Sequence, residues 1–499
     1  MPYLSLPFPQ THPDRLATLA RLFGLESPEL PGCRVLEIGC AAGGNLIPLA
    51  EQIPGVECIG IDRSARQIAD GQRVVDALGY DNVYLLAAGV EDIDASFGDF
   101  DFIVCHGVYS WVAGTVQDAI LRVCRERLRP DGIAYISYNT LPGWHMRGMI
   151  RDLMRHHTLA FPTPSQQVGQ ARAILDFLAQ AVPAEGSAYG ALLQQELEGL
   201  RNMPDAYIFH EHLEEVNEPL YFRDFVGRAA RHGLKYLAEA DFATMLTSRF
   251  EPEVAETIER MAPDIVGREQ LMDFVCNRTF RQSLLIHRDR WVERTVPLNR
   301  IDGFWLASPV KPVDAEMDLA PGKTETFRTD GGATLTSAAP FTKAALLQLS
   351  AHWPLPIPWP RLIERAAAMF GTTATPDAQA IEMLRGDLMQ CYTAGLASLH
   401  SSAPPLSLDV DERPAAGGLA RHQASSGHAV TSLRHEQVTL DEHARVLLTW
   451  LDGSASRAEL AERFRAVFPS APDDAVDTLL AGLARAGLLV RVAPAADGG

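Results

Sequence analysis

The chain has 499 residues, 47% of them hydrophobic, and a formal net charge of −19. That length predicts several domains. The acidity argues against a nucleic-acid backbone as the main partner, because phosphate contacts need a basic face. Seven cysteines contain no C-x-x-C pair and mostly stand in apolar, strand-like contexts, which predicts buried free thiols rather than disulfides or a metal site. The opening Met1-Pro-Tyr-Leu-Ser-Leu-Pro-Phe-Pro9 lacks the basic start and apolar core of a signal peptide. No apolar run reaches membrane-spanning length. A reduced, cytoplasmic protein without a membrane span is expected.

Residues 11–24 read as a helix opening at Thr11-His12-Pro13-Asp14. From 31 to about 140, short apolar strands alternate with amphipathic helices, the pattern of a parallel α/β sheet. Strands are expected at 34–38, 56–61, 83–87, 101–105 and 133–138, and helices near 45–53, 64–78 and 115–128. Leu128-Arg129-Pro130-Asp131-Gly132 reads as a helix stop and turn. Residues 146–300 read as mostly helical, with few strand signals. A Pro/Gly/Thr-rich stretch over 306–342 suggests linker or irregular strands, and 343–400 is helical again. The Ser, Pro, Gly and Ala content of 401–432 predicts a linker. The tail reads as helices 442–452, 455–467 and 473–486 with a turn at Asp452-Gly453, then a strand over Leu488–Val492, a small winged-helix-like module. The expected division is 1–160 for the α/β domain, 161–300 for a helical domain, 301–400 for a winged-helix-like or mixed domain, 401–432 for a linker and 433–499 for the C-terminal module.

Chemistry enters at Arg34-Val-Leu-Glu-Ile-Gly-Cys-Ala-Ala-Gly-Gly44. A strand, a glycine-rich turn and a helix expose backbone N–H groups and a positive dipole to a ligand, and the glycines allow close approach. Glu37 stands inside the strand end, where a carboxylate suits a cation better than a pyrophosphate. That points to S-adenosylmethionine, with its sulfonium and ammonium groups, rather than to NAD. Asp62 ends the second strand about 20 positions later, where an acid accepts hydrogen bonds from ribose hydroxyls.

These residues resemble the class I S-adenosylmethionine-dependent methyltransferases. Leu36–Gly44 looks like their first motif, with Ala41 where the middle glycine usually stands, and Asp62 like the acid of their second. The third strand ends Ala87-Ala88-Gly89-Val90-Glu91-Asp92, with Gly89 where an Asp often lies beside the adenine. The resemblance thus implies a donor site of Glu37, Gly39, Cys40, Ala41, Gly43, Asp62, Arg63, Gly89, Val90, Glu91 and His106. Cys105-His106-Gly107-Val108-Tyr109-Ser110-Trp111-Val112, Ser137-Tyr138-Asn139-Thr140-Leu141-Pro142-Gly143-Trp144-His145 and Gln10–Asp14 resemble the subgroup with an attached regulatory domain. That subgroup includes protein-lysine methyltransferases of intracellular bacteria that modify outer-membrane proteins. Phe209-His210-Glu211-His212-Leu213 and Asn277-Arg278-Thr279-Phe280-Arg281-Gln282 look like its regulatory segment. The implied fold is a Rossmann-like, seven-stranded α/β methyltransferase domain, then a helical regulatory domain and C-terminal winged-helix-like modules.

For a lysine acceptor, Tyr109, Trp111 and Tyr138 are candidates for an aromatic wall around the amine. His106 or His145 is a candidate proton relay, and Asn139 a candidate for orienting the acceptor. Each also fits a plainer role: Tyr138 in the sheet core, His106 packed or touching the donor, Trp144 anchoring a helix. His210 and His212 lack a third metal ligand, so no metal is expected. Glu214, Glu215 and Glu218 fit a solvated face or a dock for a basic segment. Three readings stay open: a protein-lysine methyltransferase, a small-molecule methyltransferase, and a non-catalytic donor-binding scaffold. A homodimer is compatible with all three. DNA binding through Arg457, Arg463, Arg465 and Arg485 is disfavoured by the overall acidity.

Overall fold

The computed structural model describes residues 5–314, 316–371 and 376–491; Met1–Leu4, at the start of the segment searched for a signal peptide, and Val492, at the end of the expected tail strand, lie outside the described residues. After helix α1 (Pro13–Leu22), the five expected apolar runs form β1 (Arg34–Ile38), β2 (Glu57–Asp62), β3 (Val83–Ala87), β4 (Phe100–Cys105) and β5 (Leu128–Asn139). They pair in parallel, and successive side chains alternate between faces. Val35, Phe102 and Tyr135 join one core; Leu36, Ile103, Ile136 and Tyr138 join the other. Helices α3 (Ala65–Leu78), capped by the Ser64 side chain and by left-handed Gly79, and α4 (Gly114–Arg127) match their expected spans within a residue or so. The helix expected near 45–53 shrinks to α2 (Leu49–Gln52), because turns occupy most of the chain from the glycines to Pro48. The turn expected at Pro130-Asp131-Gly132 is instead the irregular start of β5, with a register shift against Phe100 and Phe102.

The sheet is completed from the region expected to be helical. After α5 (Gly143–Thr158), α6 (Pro164–Ala181), α7 (Ala188–Arg201), α8 (Asp205–Ile208) and α9 (Phe222–Arg231), the chain returns as β6 (Leu234–Glu239). Beyond α10 (Pro252–Met261) and α11 (Ile265–Cys276) it adds β7 (Phe280–His287). Strand order is β3-β2-β1-β4-β5-β7-β6, with β7 antiparallel to both neighbours. The expected 1–160 and 161–300 domains therefore share one sheet. Ion pairs replace apolar signal in these strands. Arg281 in β7 is fully buried and bonds Glu239 of β6 (2.7 Å) and Asp273 (2.8 and 2.9 Å) and Glu269 (3.0 Å) of α11. Removing one partner from such a cluster costs about 3–5 kcal/mol, because the rest stay buried and unpaired.

Helices α5 to α8 form a small core of their own through Ile150, Met154, Leu175, Leu193 and Ile208. The middle region is mixed: α12 (Pro340–His352), α13 (Trp359–Ala368) and α14 (Ala378–Thr393) pack with two three-stranded sheets. Much of the expected 401–432 linker is ordered structure, with a strand at Ala415–Ala416, helix α15 (Gly418–Ser426) and a strand at Ala429–Thr431. Ala416, Ala420 and Val430 share a core with α16 (Glu442–Thr449), α17 (Arg457–Val467) and α18 (Ala475–Arg485), so the C-terminal module starts before residue 433. The tail strand is Leu489–Val490.

Candidate functional site

At the carboxyl ends of β1, β2 and β4 lies a cavity of about 530 Å³. Open parallel sheets place ligands there, where the strand order reverses. On the donor side, Gly39 takes φ +78° and Ala41 takes φ +52°, so the alanine adopts the left-handed turn that the glycine at this position usually supplies. A Cβ on Gly39 would collide with Val108, 2.4 Å away. Asp62 accepts from the backbone N–H groups of Ala41 (3.0 Å) and Ser64 (2.8 Å), tying the loop to the end of β2.

Glu37 is 4% exposed and lines the cavity. One oxygen accepts from Asn45 Nδ2 at 2.8 Å; the other, Oε2, is buried without a hydrogen-bond partner. Burial pushes its carboxyl up to about 7, and the Asp62 charge adds to the rise, while the Asn45 bond opposes it. An ammonium group beside Oε2 supplies what this carboxylate lacks. The residues present therefore fit S-adenosylmethionine: glycines that allow close approach, Asp62 at the strand end, and a buried acid for the amine. Apolar Val90, Val112, Val116 and Ile120 line the cavity as well.

Asn45 has its own clamp. Its Oδ1 accepts from Phe8 N (2.8 Å) and Thr11 Oγ1 (3.1 Å) and lies 2.9 Å from Nε2 of His435. Nδ1 of that imidazole lies 2.9 Å from Gln52 Oε1, and Gln52 Nε2 donates to the Ser432 carbonyl at 2.9 Å. His435 comes from the C-terminal module.

The rest of the lining comes from two sources. His106, Val108 and Trp111 follow β4, and Ala206, Tyr207, His210 and Glu211 come from α8 and the π-helical turn after it. That turn packs on α5, the helix following β5, so it covers the β4–β5 side of the cavity. Glu211 is pushed up to about 7 by burial, against the opposing pull of Arg147 and His210. His106 is pulled down to about 4 by burial; its Nδ1 lies 2.9 Å from Tyr135 Oη, and Phe8 packs on its ring at 3.9 Å.

Ten of the expected donor residues line the cavity: Glu37, Gly39, Cys40, Ala41, Asp62, Arg63, Gly89, Val90, Glu91 and His106. Gly43 stands behind the loop, where a Cβ would press on Ile47 at 2.9 Å. Gly89 donates its N–H to Asp92 (2.8 Å), and Glu91 pairs with Arg63 across exposed surface. Among the expected acceptor aromatics, only Trp111 lines the cavity. Tyr109 and Tyr138 are buried in the core around Phe225, on which the Tyr138 ring stacks at 4.1 Å. The alternation along β5 dictates this, since Tyr138 shares a face with Ile136. Asn139 is buried against Asn217 (3.1 Å), and His145 is exposed beside Tyr221 (3.2 Å). Asn45, Phe8, Tyr207 and Glu211 were not anticipated as site residues. Asn45 directly follows the glycines and was within reach of the motif; the others depend on long-range packing. Among the described residues, no group of three His, Cys, Asp or Glu side chains is placed to hold a metal, and no helix is long and apolar enough to cross a membrane.

Three family models match the chain: a methyltransferase domain over residues 36–134, a predicted methyltransferase regulatory domain over 204–287, and the PKMT C-terminal winged helix domain over 412–471. An uncharacterised protein of Rickettsia prowazekii (strain Madrid E) is 36% identical over 475 residues, covering 93% of this chain and 84% of that one. A second from the same organism is 40% identical over 237 residues, covering 48% of this chain and 95% of that one. The structure of PKMT2 from Rickettsia typhi in complex with AdoHcy superposes with a TM-score of 0.89 at 29% identity, covering 98% of this chain and all of that one.

Proposed function

The chain belongs to the class I S-adenosylmethionine-dependent methyltransferases that carry a methyltransferase regulatory domain, and from that premise we propose that it transfers methyl groups to the lysine amines of a protein substrate. One observation carries the choice of acceptor. Glu211, a carboxylate borne by the regulatory segment, lines the same cavity as the donor loop. A carboxylate there favours an amine acceptor over a neutral or anionic one, and the match to the PKMT winged helix domain fits a protein as the bearer of that amine.

S-adenosylmethionine, when bound, supplies an activated methyl group for in-line displacement. The chain must align the amine, exclude water and hold the proton the amine gives up. Trp111 offers a ring face to the amine stem. Glu211 and His106 are the two proton acceptors on the wall. With values of about 7 and about 4, the carboxylate is the better acceptor near neutrality, and His106 serves as a neutral packing group. PKMT2 from Rickettsia typhi, by its name and its AdoHcy complex, fits the same reading.

Incubation with methyl-labelled donor and a cell lysate, and separately with a protein-free metabolite extract, tests the proposal. Label is expected on methylated lysines of protein. Label confined to small molecules overturns the acceptor assignment.

A further inference from the structure

The donor loop occupies one end of the chain and the winged-helix module the other, yet His435 of that module is buried against Asn45 of the loop. The tip between the strands Ala429–Thr431 and Gln437–Thr439 bends so that His435 adopts φ +59°. For a side chain other than glycine this conformation is strained and persists only when its surroundings enforce it. Here the tip delivers an imidazole between Asn45 and Gln52.

An asparagine amide is fixed by its partners, because its oxygen only accepts and its nitrogen only donates. The ring stands 2.9 Å from an amide oxygen on each side, Asn45 Oδ1 and Gln52 Oε1, and carries one N–H when neutral; we assign that proton to Nε2, from which His435 donates to Asn45 Oδ1. Together with Phe8 N and Thr11 Oγ1, it forces the NH₂ group to face Glu37. Glu37 Oε1 is thereby occupied, and Oε2 alone is left for a ligand.

We infer that His435 is a positioning residue of the donor site: through the Asn45 amide it holds the Glu37 carboxylate in place to receive the ammonium group of S-adenosylmethionine, making the C-terminal module a working part of donor binding. This rests on the reading of Glu37 as the acid that meets that ammonium, and is independent of the acceptor. Partners that orient a ligating side chain characteristically set affinity without touching the ligand.

The experiment is calorimetric titration of the full-length protein with S-adenosylmethionine for H435A, E37Q and the double variant, with thermal unfolding of each alongside. Y80F is the control. The Tyr80 hydroxyl donates to Glu51, which also accepts from Leu419 N of the same module, off the path to Glu37. H435A should weaken binding about tenfold. The double variant should bind no worse than E37Q, since the effect runs through Glu37. Y80F should bind like the parent, and kcat of H435A at saturating donor should match the parent value. Where alanine unfolds the module, H435Q and H435L give the same contrast. Glutamine keeps a donor toward Asn45 and should bind more tightly than the similarly sized leucine. Parent-like binding by H435A, equal binding by H435Q and H435L, an undiminished H435A effect in the E37Q background, or an equal loss in Y80F overturns the inference. Parent-like binding by E37Q overturns it together with the Glu37 reading, and leaves the lysine acceptor untouched.

Discussion

The two walls of the cavity are built on opposite plans. The donor wall draws on the ends of β1, β2 and β3, three segments between residues 37 and 91, and Gly39, Ala41, Ala88 and Gly89 among them bring the backbone close to the cavity. The acceptor wall joins side chains after β4 to a turn near residue 210, far away in sequence, held there by packing on α5 and by long-range hydrogen bonds such as Glu218 N to the Ser110 carbonyl (2.8 Å). A wall made of backbone tolerates changes in side chain: Ala41 takes the turn usually given to glycine, and Gly89 stands where related enzymes often place an acid. A wall made of packed side chains has no such slack. Tyr109, next in chain to the cavity-lining Val108, and Tyr138 belong wholly to the core that supports it.

Four measurements sharpen or break this contrast. Tyr138→Ala should cost about 3–5 kcal/mol in unfolding free energy, the price of an emptied aromatic site against Phe225. A drop in kcat with stability intact would instead return Tyr138 to the acceptor wall. Glu211→Gln should lower kcat about a hundredfold with S-adenosylmethionine affinity unchanged, as removal of a positioned proton acceptor does. A matching loss of donor affinity would make the two walls one.

The third concerns pH. Glu37 is protonated in the free fold up to about 7, and an ammonium partner requires it ionised. Donor binding below pH 7 should therefore release one proton, and affinity should fall about tenfold per pH unit. Calorimetry in buffers of different ionisation heat reads both, and E37Q should flatten the slope. The same raised value acts on folding: the group's contribution to stability is full below the ordinary carboxylate range and is lost as pH climbs through about 7. The smallest effect is Ala41→Gly, which relieves the left-handed turn. It should add about 1 kcal/mol to stability without weakening donor binding. A loss of affinity there would show that the alanine methyl group contributes to the wall.

What the sequence disclosed follows the same division. β1 and β3 match their expected spans, because uninterrupted apolar runs with alternating burial leave little choice. β6 and β7 stayed hidden, since Arg281, Ser283 and Glu239 occupy buried positions that apolar residues usually fill, and their pairing becomes visible only in three dimensions. In the site, a glycine pattern and two acids, Glu37 and Asp62, announced the donor wall. Glu211 lies in the segment that resembles the regulatory domain, but neither it nor Tyr207 carries a local sign of a place in the cavity. They matter because α5 and the helices after it carry the π-helical turn back over the sheet. The linker expected over 401–432 failed for a related reason, as small residues there pack closely against the helices of the C-terminal module instead of loosening the chain.

The bond between His435 and Asn45 spans 390 positions, and it also bears on how the protein is made. Chains tend to fold from the N-terminus as they are synthesised. The glycine loop and β1 to β5 are complete once Asn139 has emerged, the antiparallel β7 waits for His287, and the clamp on Asn45 waits for His435. A nascent chain thus owns the shape of its donor loop long before the amide that steadies it is locked. The site is finished among the last events of biosynthesis, and a product truncated before residue 435 carries the motif without the clamp.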